Sequence, residues 1–146
     1  MAIRKMVQDD FKAVCDLTKQ LGYPMLEFRM YERLQCILNR PEHGAFVVER
    51  DGMVVGWIHM YVAHIIEAPD SYVEIGGLVV DESHRGAGIG RALIEAAEDW
   101  ARRSGLYDIR LRSAIKRVEA HKFYESLGYR VVKTQMRFEK KLNHLE

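Results

Sequence analysis

The chain reads Val-Glu-Ile-Gly-Gly-Leu-Val-Val-Asp-Glu-Ser-His-Arg-Gly-Ala-Gly-Ile-Gly-Arg-Ala-Leu-Ile-Glu-Ala-Ala-Glu-Asp-Trp at residues 73–100. Residues 78–80 form an apolar, β-branched run that predicts a strand over residues 72–81. Over residues 89–100 the apolar positions recur on one face at helical spacing, which predicts a helix over residues 88–104. The stretch therefore predicts a strand, a loop and a helix in immediate succession.

The loop between them, Arg85-Gly86-Ala87-Gly88-Ile89-Gly90, carries a glycine at every second position. Glycine adopts backbone conformations closed to other residues and lets a ligand approach the main chain. The loop also leads into a helix N-terminus, where unpaired N–H groups and the positive end of the helix dipole converge. These features favour a binding site for a phosphate or pyrophosphate group.

Two other phosphate-binding loops are excluded by their spacing. The dinucleotide fingerprint needs its third glycine three places after the second, where this chain has Arg91. The P-loop needs Gly-Lys followed by Ser or Thr, and the sequence contains no such triplet. A tight turn without a ligand is the remaining alternative, but it needs only one or two glycines.

A second motif stands about thirty residues further on, where residues 120–129 read Ala-His-Lys-Phe-Tyr-Glu-Ser-Leu-Gly-Tyr. Arg85-x-x-Gly88-x-Gly90 after a strand resembles the acetyl-coenzyme A signature of the GNAT family of N-acetyltransferases, Gln/Arg-x-x-Gly-x-Gly/Ala. Residues 120–129 resemble the family's second signature, Ala-x-x-Phe-Tyr-x-x-x-Gly-Phe/Tyr. The resemblance covers nearly the whole chain, more thinly before residue 44.

The resemblance implies that acetyl-coenzyme A is the cosubstrate and that it binds along the strand and the glycine loop. The pyrophosphate would lie on the N–H groups of residues 85–91, and residues 78–80 would pair with the pantetheine amides. The N–H group of Val80 would polarise the thioester carbonyl. The implied coenzyme contacts are Leu78, Val79, Val80, Arg85, Gly86, Ala87, Gly88, Ile89, Gly90, Arg91, Ser113, Arg117, Ala120, Phe123 and Tyr124.

Tyr124 is the candidate for the general acid. A phenol with a reference pKa of about 10 can protonate a departing thiolate that lies within hydrogen-bond reach. The alternative is a core tyrosine, because positions 120, 123, 124 and 127 form one helical stripe. The match to the second signature favours the catalytic interpretation.

Glu74 is the candidate base for the amine proton, directly or through water. It lies in an otherwise apolar strand, where an unpaired carboxylate is costly. The alternatives are a glutamate at a sheet edge or one paired to an arginine. Members of the family often carry an acidic residue nearer to Leu78, where this chain has Gly76 and Gly77. Three further candidates for the base are His59, His64 and Tyr61.

Residues 110–122 are rich in cationic side chains, which favours a contact with the 3′-phosphate of the coenzyme over a merely solvated face. They are Arg110, Arg112, Lys116, Arg117, His121 and Lys122. Many relatives have an asparagine in place of Arg117. Residues 116–124 also resemble the branch of the family that acetylates small aminoalkylphosphonates, which is a pointer to the acceptor.

Composition is that of an ordinary globular protein, with 146 residues, 48% hydrophobic and 29% charged. The net charge of +1 disfavours nucleic acid as a partner. Cys15 and Cys36 predict reduced core thiols and a cytoplasmic protein. No apolar run is long enough to span a membrane. His59 and His64 are five residues apart, hence on opposite faces of a strand, and no metal site is predicted.

The predicted fold is of the mixed α/β class, a single GNAT-like domain over residues 1–146. The predicted order is strand 2–7, a helix from Asp9 to Gly22, helix 25–39, strands 44–51, 53–63 and 72–81, helix 88–104, strand 107–113, helix 117–127 and a closing strand 129–142. These elements predict a mixed, mostly antiparallel sheet of six to seven strands with helices on both faces. The resemblance implies that strands 72–81 and 107–113 splay apart to admit the pantetheine arm.

The function that follows is transfer of acetyl from acetyl-coenzyme A to a primary amine of a small molecule by direct attack. A covalent enzyme intermediate is not expected, because no serine or cysteine nucleophile motif is present. One alternative is a catalytically silent protein that binds and senses acyl-coenzyme A, and another is acetylation of a protein or peptide amine. The resemblance also implies a homodimer, since relatives are often dimers.

Overall fold

The structure, a computed structural model, describes residues 1–144 of the chain. It divides into two compact units, Met1–Arg112 and Ser113–Glu146. The single domain predicted over residues 1–146 includes residues 145 and 146, which lie outside the described range. The sheet and the first three helices belong to the first unit.

The first unit contains a sheet with three helices. In chain order its elements are β1 (Ala2–Lys5), α1 (Phe11–Gln20), α2 (Glu27–Leu38), β2 (His43–Arg50), β3 (Met53–Ala63), β4 (Tyr72–Val80), α3 (Ile89–Arg103) and β5 (Ile109–Leu111). Short 3-10 helices precede α1 at Gln8–Asp10 and follow β4 at Glu82–His84. The second unit contains α4 (Val118–Ser126).

The five strands lie in the spatial order β1-β2-β3-β4-β5. Neighbours are antiparallel except β4 and β5, which are parallel because α3 carries the chain back across the sheet. A hairpin turn joins β2 to β3, and its central residues Asp51 and Gly52 have φ angles of 53° and 77°. Positive φ at both central residues is the requirement of a two-residue type I′ turn.

Helices cover the two faces of the sheet, as predicted. On one face α1 and α2 enclose a buried cluster with alternate residues of β2, namely Val14, Cys15, Met30, Leu34, Ala45 and Val47. On the opposite face α3 packs so closely that a Cβ atom added to Gly56 of β3 would lie 3.2 Å from both Ile89 and Leu93. The core is therefore two apolar layers separated by the sheet.

The sheet has five strands, so the prediction of six to seven strands was wrong. The missing element is the closing strand predicted over 129–142, since the described residues beyond α4 contain no strand. Its apolar side chains are instead exposed, namely Val131, Val132, Met136, Phe138 and Leu142. An apolar pattern indicates which side chains could be buried, but a strand exists only where its backbone pairs with another strand.

Candidate functional site

Strands β4 and β5 part after three residues. Their pairing joins Val73–Ile75 to Ile109–Leu111, whereas β4 continues to Val80. The edge of β4 that faces β5 is therefore without a strand partner over residues 76–80. This is the splayed pair of strands that the resemblance implied.

The backbone of β4 reverses its hydrogen-bonding direction along its length. The N–H group of Val73 donates to the Asp108 carbonyl beside β5 at 3.0 Å. The N–H group of Asp81 donates to the Val55 carbonyl of β3 at 2.8 Å, on the opposite side. Both residues have odd numbers, and in a regular strand the N–H groups of alternate residues point to the same edge. One residue must therefore be inserted between them.

The insertion is a β-bulge at Gly76. Ile75 pairs with Met60 and Gly77 pairs with His59, so Gly76 has no opposite residue on β3. Beyond the bulge, the N–H groups of Leu78 and Val80 point to the unpaired edge. Two backbone donors are thus available at the gap, at the positions where the resemblance placed the pantetheine and the thioester.

The glycine loop has the backbone that its sequence predicts. Gly86 and Gly88 have φ angles of 82° and 80°, a region that side-chain-bearing residues rarely adopt. Gly88 is the N-cap of α3 and offers no side chain to the first N–H groups of that helix. A Cβ atom at either glycine would meet no atom within 4 Å. The loop therefore presents open space and unpaired N–H groups together, as an anion site requires.

Asp81 anchors the start of this loop to the end of α1. Its carboxylate accepts a hydrogen bond from Gln20 Nε2 at 2.8 Å, and Gln20 Oε1 accepts one from the N–H group of Glu82 at 3.0 Å. The Ser83 hydroxyl also hydrogen-bonds to it, and His84 Nδ1 lies 2.8 Å away. The hydrogen bonds from Gln20, Ser83 and His84 hold the pKa of Asp81 well below its usual range. Sequence reasoning missed this cluster, because Gln20 lies 61 residues from Asp81.

Glu74 is buried in β4, with 5% of its surface exposed. It lies opposite Tyr61 of β3, and its nearest cation is Arg112, whose guanidinium is 4.0 Å away and mostly exposed. Burial raises the pKa of the Tyr61 phenol, and the Glu74 carboxylate adds to the rise. The buried carboxylate therefore has Tyr61 as its neighbour across the strands and an exposed arginine as its ion-pair partner.

His43 of β2 and His59 of β3 form a hydrogen-bonded pair beside the bulge. His43 Nδ1 and His59 Nε2 are 2.9 Å apart, and the two rings are within 4° of parallel. A Cβ atom at Gly76 would lie 2.9 Å from His59 Nδ1, so the ring covers the glycine. Burial, with a smaller contribution from His43, lowers the pKa of His59 to about 4. His59 is therefore neutral in the physiological range.

The other histidine candidate, His64, lies beyond the end of β3. It is exposed and hydrogen-bonds to Ser71. Alternation along β3 places His59 and Tyr61 on the face that α1 and α2 cover, whereas His64 is outside the strand. The structure therefore brings Glu74, Tyr61 and His59 together and leaves His64 apart.

Two buried donors lack a hydrogen-bond partner within residues 1–144, the indole Nε1 of Trp57 and the hydroxyl of Ser113. The Trp57 ring covers the second bulge glycine, since a Cβ atom at Gly77 would lie 2.7 Å from it. Such groups cost free energy unless a ligand or water satisfies them. Ser113 was among the predicted coenzyme contacts; Trp57 was missed, because its position in the strand pattern is that of a core residue.

In the second unit, Tyr124 and Phe123 lie half-buried on α4. The Tyr124 ring contacts those of Phe123 and Tyr129, with centroids 5.3 and 6.1 Å away. Burial raises the pKa of Tyr124, and the positive charge of Arg117 opposes the rise. The phenol therefore keeps its proton at neutral pH. Ala120 lies on the same half-buried stripe, while Arg117 is exposed at the N-cap of α4.

The cationic side chains of residues 110–122 are partly neutralised. Arg110 pairs with Asp108 at 2.9 Å, and its guanidinium lies 3.8 Å from the centre of the Tyr72 ring. In the second unit Lys122 pairs with Glu119 at 3.5 Å. Exposed pairs of this kind are weak.

Residues 1–144 contain no group of three or more His, Cys, Asp or Glu side chains arranged to hold a metal ion. No helix within the same range combines the length and the apolar character needed to cross a membrane.

Comparison with known proteins identifies a family. The model of the acetyltransferase (GNAT) family matches residues 5–129. An uncharacterized N-acetyltransferase of Methanocaldococcus jannaschii is 34% identical over 152 residues, covering 96% of this chain and 66% of that protein. The aminoalkylphosphonate N-acetyltransferase of Salmonella typhimurium is 38% identical over 93 residues, covering 64% of this chain and 59% of that protein. The chain thus spans about two thirds or less of the length of these relatives.

Among solved structures, an aminoglycoside N-acetyltransferase in complex with coenzyme A superposes with a TM-score of 0.86 at 19% identity. The match covers 97% of this chain and 95% of that protein. At this identity the likeness concerns the fold, and it confirms the predicted fold class.

The buried imidazole of His59 predicts a pH-dependent stability. Its pKa is about 4 in the folded protein against a usual value of 6.5, so the unfolded chain binds the proton first as pH falls. Stability from this group is complete above pH 6.5 and decreases as pH falls from 6.5 to 4, by about 2 kcal/mol at pH 4.5. The titratable groups next to His59 are His43, Tyr61 and Glu74. All three are present both in the wild type and in the His59→Gln protein with which it is compared below.

Urea unfolding at pH 7 and pH 4.5 measures this effect. The His59→Gln protein should lose about 2 kcal/mol less than the wild type between the two values. The His64→Gln protein is the control, because it removes an exposed histidine instead of the buried one. An equal loss in the His59→Gln and wild-type proteins would show that the imidazole is not held neutral.

Proposed function

Because the chain belongs to the GNAT family of acetyltransferases, we propose that it transfers an acetyl group from acetyl-coenzyme A to a primary amine of a small molecule. The observation that carries the proposal is the reversal of β4 at Gly76, which aims the N–H groups of Leu78 and Val80 into the gap beside β5. The same strand leads directly into the glycine loop. We propose that the N-acetyltransferase domain extends over residues 1–146.

The coenzyme binds to main-chain groups in this proposal. Its pyrophosphate occupies the open space at Gly86 and Gly88 and accepts hydrogen bonds from the first turn of α3. Its pantetheine amides pair with residues 78–80, and the Val80 N–H group polarises the thioester carbonyl. The Arg85 side chain, which now donates to the Val80 carbonyl at 3.4 Å, adds positive charge beside the phosphates.

Two side chains serve the chemistry. Tyr124 keeps its proton at neutral pH and donates it to the departing thiolate. Glu74 attracts the ammonium form of the acceptor into the site, because its carboxylate is buried while its counter-ion Arg112, 4.0 Å away, is exposed. It is also an acceptor for the amine proton, directly or through water. The amine then attacks the thioester carbonyl without a covalent enzyme intermediate.

The acceptor is a small amine that carries an anionic group such as a phosphonate. This choice is supported by the sequence similarity of this chain to the aminoalkylphosphonate N-acetyltransferase of Salmonella typhimurium. The cationic side chains of residues 110–122 serve the 3′-phosphate of the coenzyme in this proposal.

We propose a cytoplasmic homodimer. Cys15 and Cys36 are both free thiols, as is usual in a reducing compartment, although Cys36 is exposed and the prediction that it lies in the core was wrong. The exposed apolar side chains after α4 support association, since Phe138 and Met136 are 85% and 80% exposed and dimer formation would cover them.

Release of free thiol from acetyl-coenzyme A tests the proposed function. Aminoalkylphosphonates, aminoglycosides, amino acids, polyamines and N-terminal peptides are offered in turn as acceptors. A small primary amine should stimulate release and appear as its N-acetyl product, with an anionic amine preferred over its neutral analogue. Release that no amine stimulates above the rate of hydrolysis would contradict the proposal.

The Gly88→Ala protein tests the anion site. The Gly105→Ala protein is its control, because alanine strains the backbone equally at both positions. Gly88 and Gly105 flank α3 with φ angles of 80° and 75°, and neither has an atom within 4 Å of a Cβ position. Alanine at either position should cost about 1 kcal/mol of stability. Only the Gly88→Ala protein should also bind coenzyme A at least tenfold more weakly by calorimetry. Equal affinities of the two variants would contradict the assignment.

The Tyr124→Phe protein tests the general acid. It should bind coenzyme A like the wild type, whereas kcat should fall by a factor of about 100, the usual contribution of a positioned proton donor. Tyr107, which is 85% exposed, provides the control, and Tyr107→Phe should leave both quantities unchanged. A Tyr124→Phe protein that turns over at the wild-type rate would remove Tyr124 from the mechanism.

A further inference from the structure

We infer that His59 and His43 form a proton relay that converts the acceptor from its ammonium form to the neutral amine. This inference rests on the proposed function and adds residues of β2 and β3 to those that the proposed function uses. It follows from the placement of two ring nitrogens beside an exposed stretch of backbone.

The first observation is the direction of each nitrogen of His59. Nδ1 faces Gly76, because a Cβ atom there would lie 2.9 Å from it. Nε2 faces the other way and hydrogen-bonds to His43 Nδ1 at 2.9 Å. Gly76 is itself exposed, although its neighbours Ile75 and Glu74 are buried. One end of the pair therefore lies beside the exposed backbone of the bulge, while the other end continues into a second imidazole.

The second observation is the protonation that this hydrogen bond requires. One nitrogen of the contact donates and the other accepts, so each ring must be a defined tautomer. With the proton on His59 Nε2, His59 Nδ1 carries a lone pair toward Gly76, and the proton of neutral His43 is on Nε2. Burial keeps His59 neutral, so this lone pair is available in the physiological range.

The third observation is the charge around the pair. Tyr61 lies between the histidines and Glu74: its ring centre is 5.6 Å from that of His43 and 5.7 Å from that of His59, and it pairs with Glu74 across the strands. An ammonium group attracted by Glu74 would thus arrive on the face that carries His59. Arg112, the nearest cation of Glu74, is 4.0 Å from the carboxylate and would not occupy the imidazole.

The relay has three balanced proton transfers. The ammonium group loses one N–H proton to His59 Nδ1, directly or through one water, and becomes a neutral amine with a free electron pair. His59 passes its Nε2 proton to His43 Nδ1 across the 2.9 Å hydrogen bond. His43 then releases its Nε2 proton to water, which leaves both rings neutral in the opposite tautomers, and proton exchange with water restores the starting tautomers. Transfer to His59 is uphill because burial disfavours its charged form, and onward transfer to His43 and water draws the proton away.

The test uses the full chain and the best amine found by thiol release. The His59→Gln protein should lose a factor of about 100 in kcat while its affinity for coenzyme A stays within twofold of the wild type. The His43→Gln protein, which keeps the first acceptor but interrupts the relay, should lose a factor of about 10. The Glu74→Gln protein should raise KM for the amine as well as lower kcat, whereas His59→Gln should leave KM unchanged, which separates attraction of the cation from proton removal by the imidazole.

Rescue distinguishes the relay from a packing role. Imidazole added to the His59→Ala protein should raise its kcat at least tenfold. The kcat of the Glu74→Gln protein should not change when imidazole is added. The His64→Gln protein is the matched control at the end of β3 and should retain wild-type kcat.

The outcomes separate the relay from the proposed function. A wild-type protein that acetylates no amine overturns both. An active wild type whose His59→Gln variant keeps its kcat within twofold overturns the relay alone. A fall in kcat that imidazole does not restore, together with a weaker affinity for coenzyme A, shows that His59 has a packing role. That result also overturns the relay. If His59→Gln fails to bind coenzyme A, His43→Gln decides, and an unchanged kcat in that protein overturns the relay.

Discussion

The site depends on one extra residue in a strand. A strand inside a sheet has its N–H and C=O groups engaged on both sides and offers nothing to a ligand. The bulge at Gly76 changes this, because it shifts the donors of Leu78 and Val80 to the side where β5 has already ended. The strand keeps its ladder with β3 on both sides of the bulge, so the free donors are held by a rigid partner. The coenzyme contacts proposed at this edge are therefore backbone groups.

The surrounding elements serve to hold that strand and its loop in place. α3 packs beneath β3 through Ile89 and Leu93, which fixes the helix whose N-terminus follows the glycine loop. Asp81 joins the other end of the loop to α1 through Gln20. The loop is thus restrained at both ends while its glycines keep their backbone exposed. A preorganised loop loses less entropy when an anion binds.

Much of this arrangement could be predicted from the sequence, where the signal is local. The alternating glycines before an amphipathic helix, the Asp51-Gly52 turn and the apolar run of β4 each depend on residues close together in the chain. Relations between distant residues could not be predicted in this way. The contact of Gln20 with Asp81 and the pairing of His43 with His59 depend on strand register, which a single sequence does not specify. The prediction of a closing strand was wrong for a related reason, because an apolar pattern carries no information about a backbone partner.

Gly76 and His59 share one volume, and this ties the two positions to each other. A methyl group on residue 76 would press against the imidazole, so only a smaller residue at position 59 could accompany a side chain there. The space at the bulge therefore holds only one side chain. It belongs either to residue 76 of β4 or to residue 59 of β3, which then packs over a glycine. In this chain a side chain of β3 fills the space. Exchange at either position alone would collide or leave a void, whereas reciprocal exchange at both conserves the filled space.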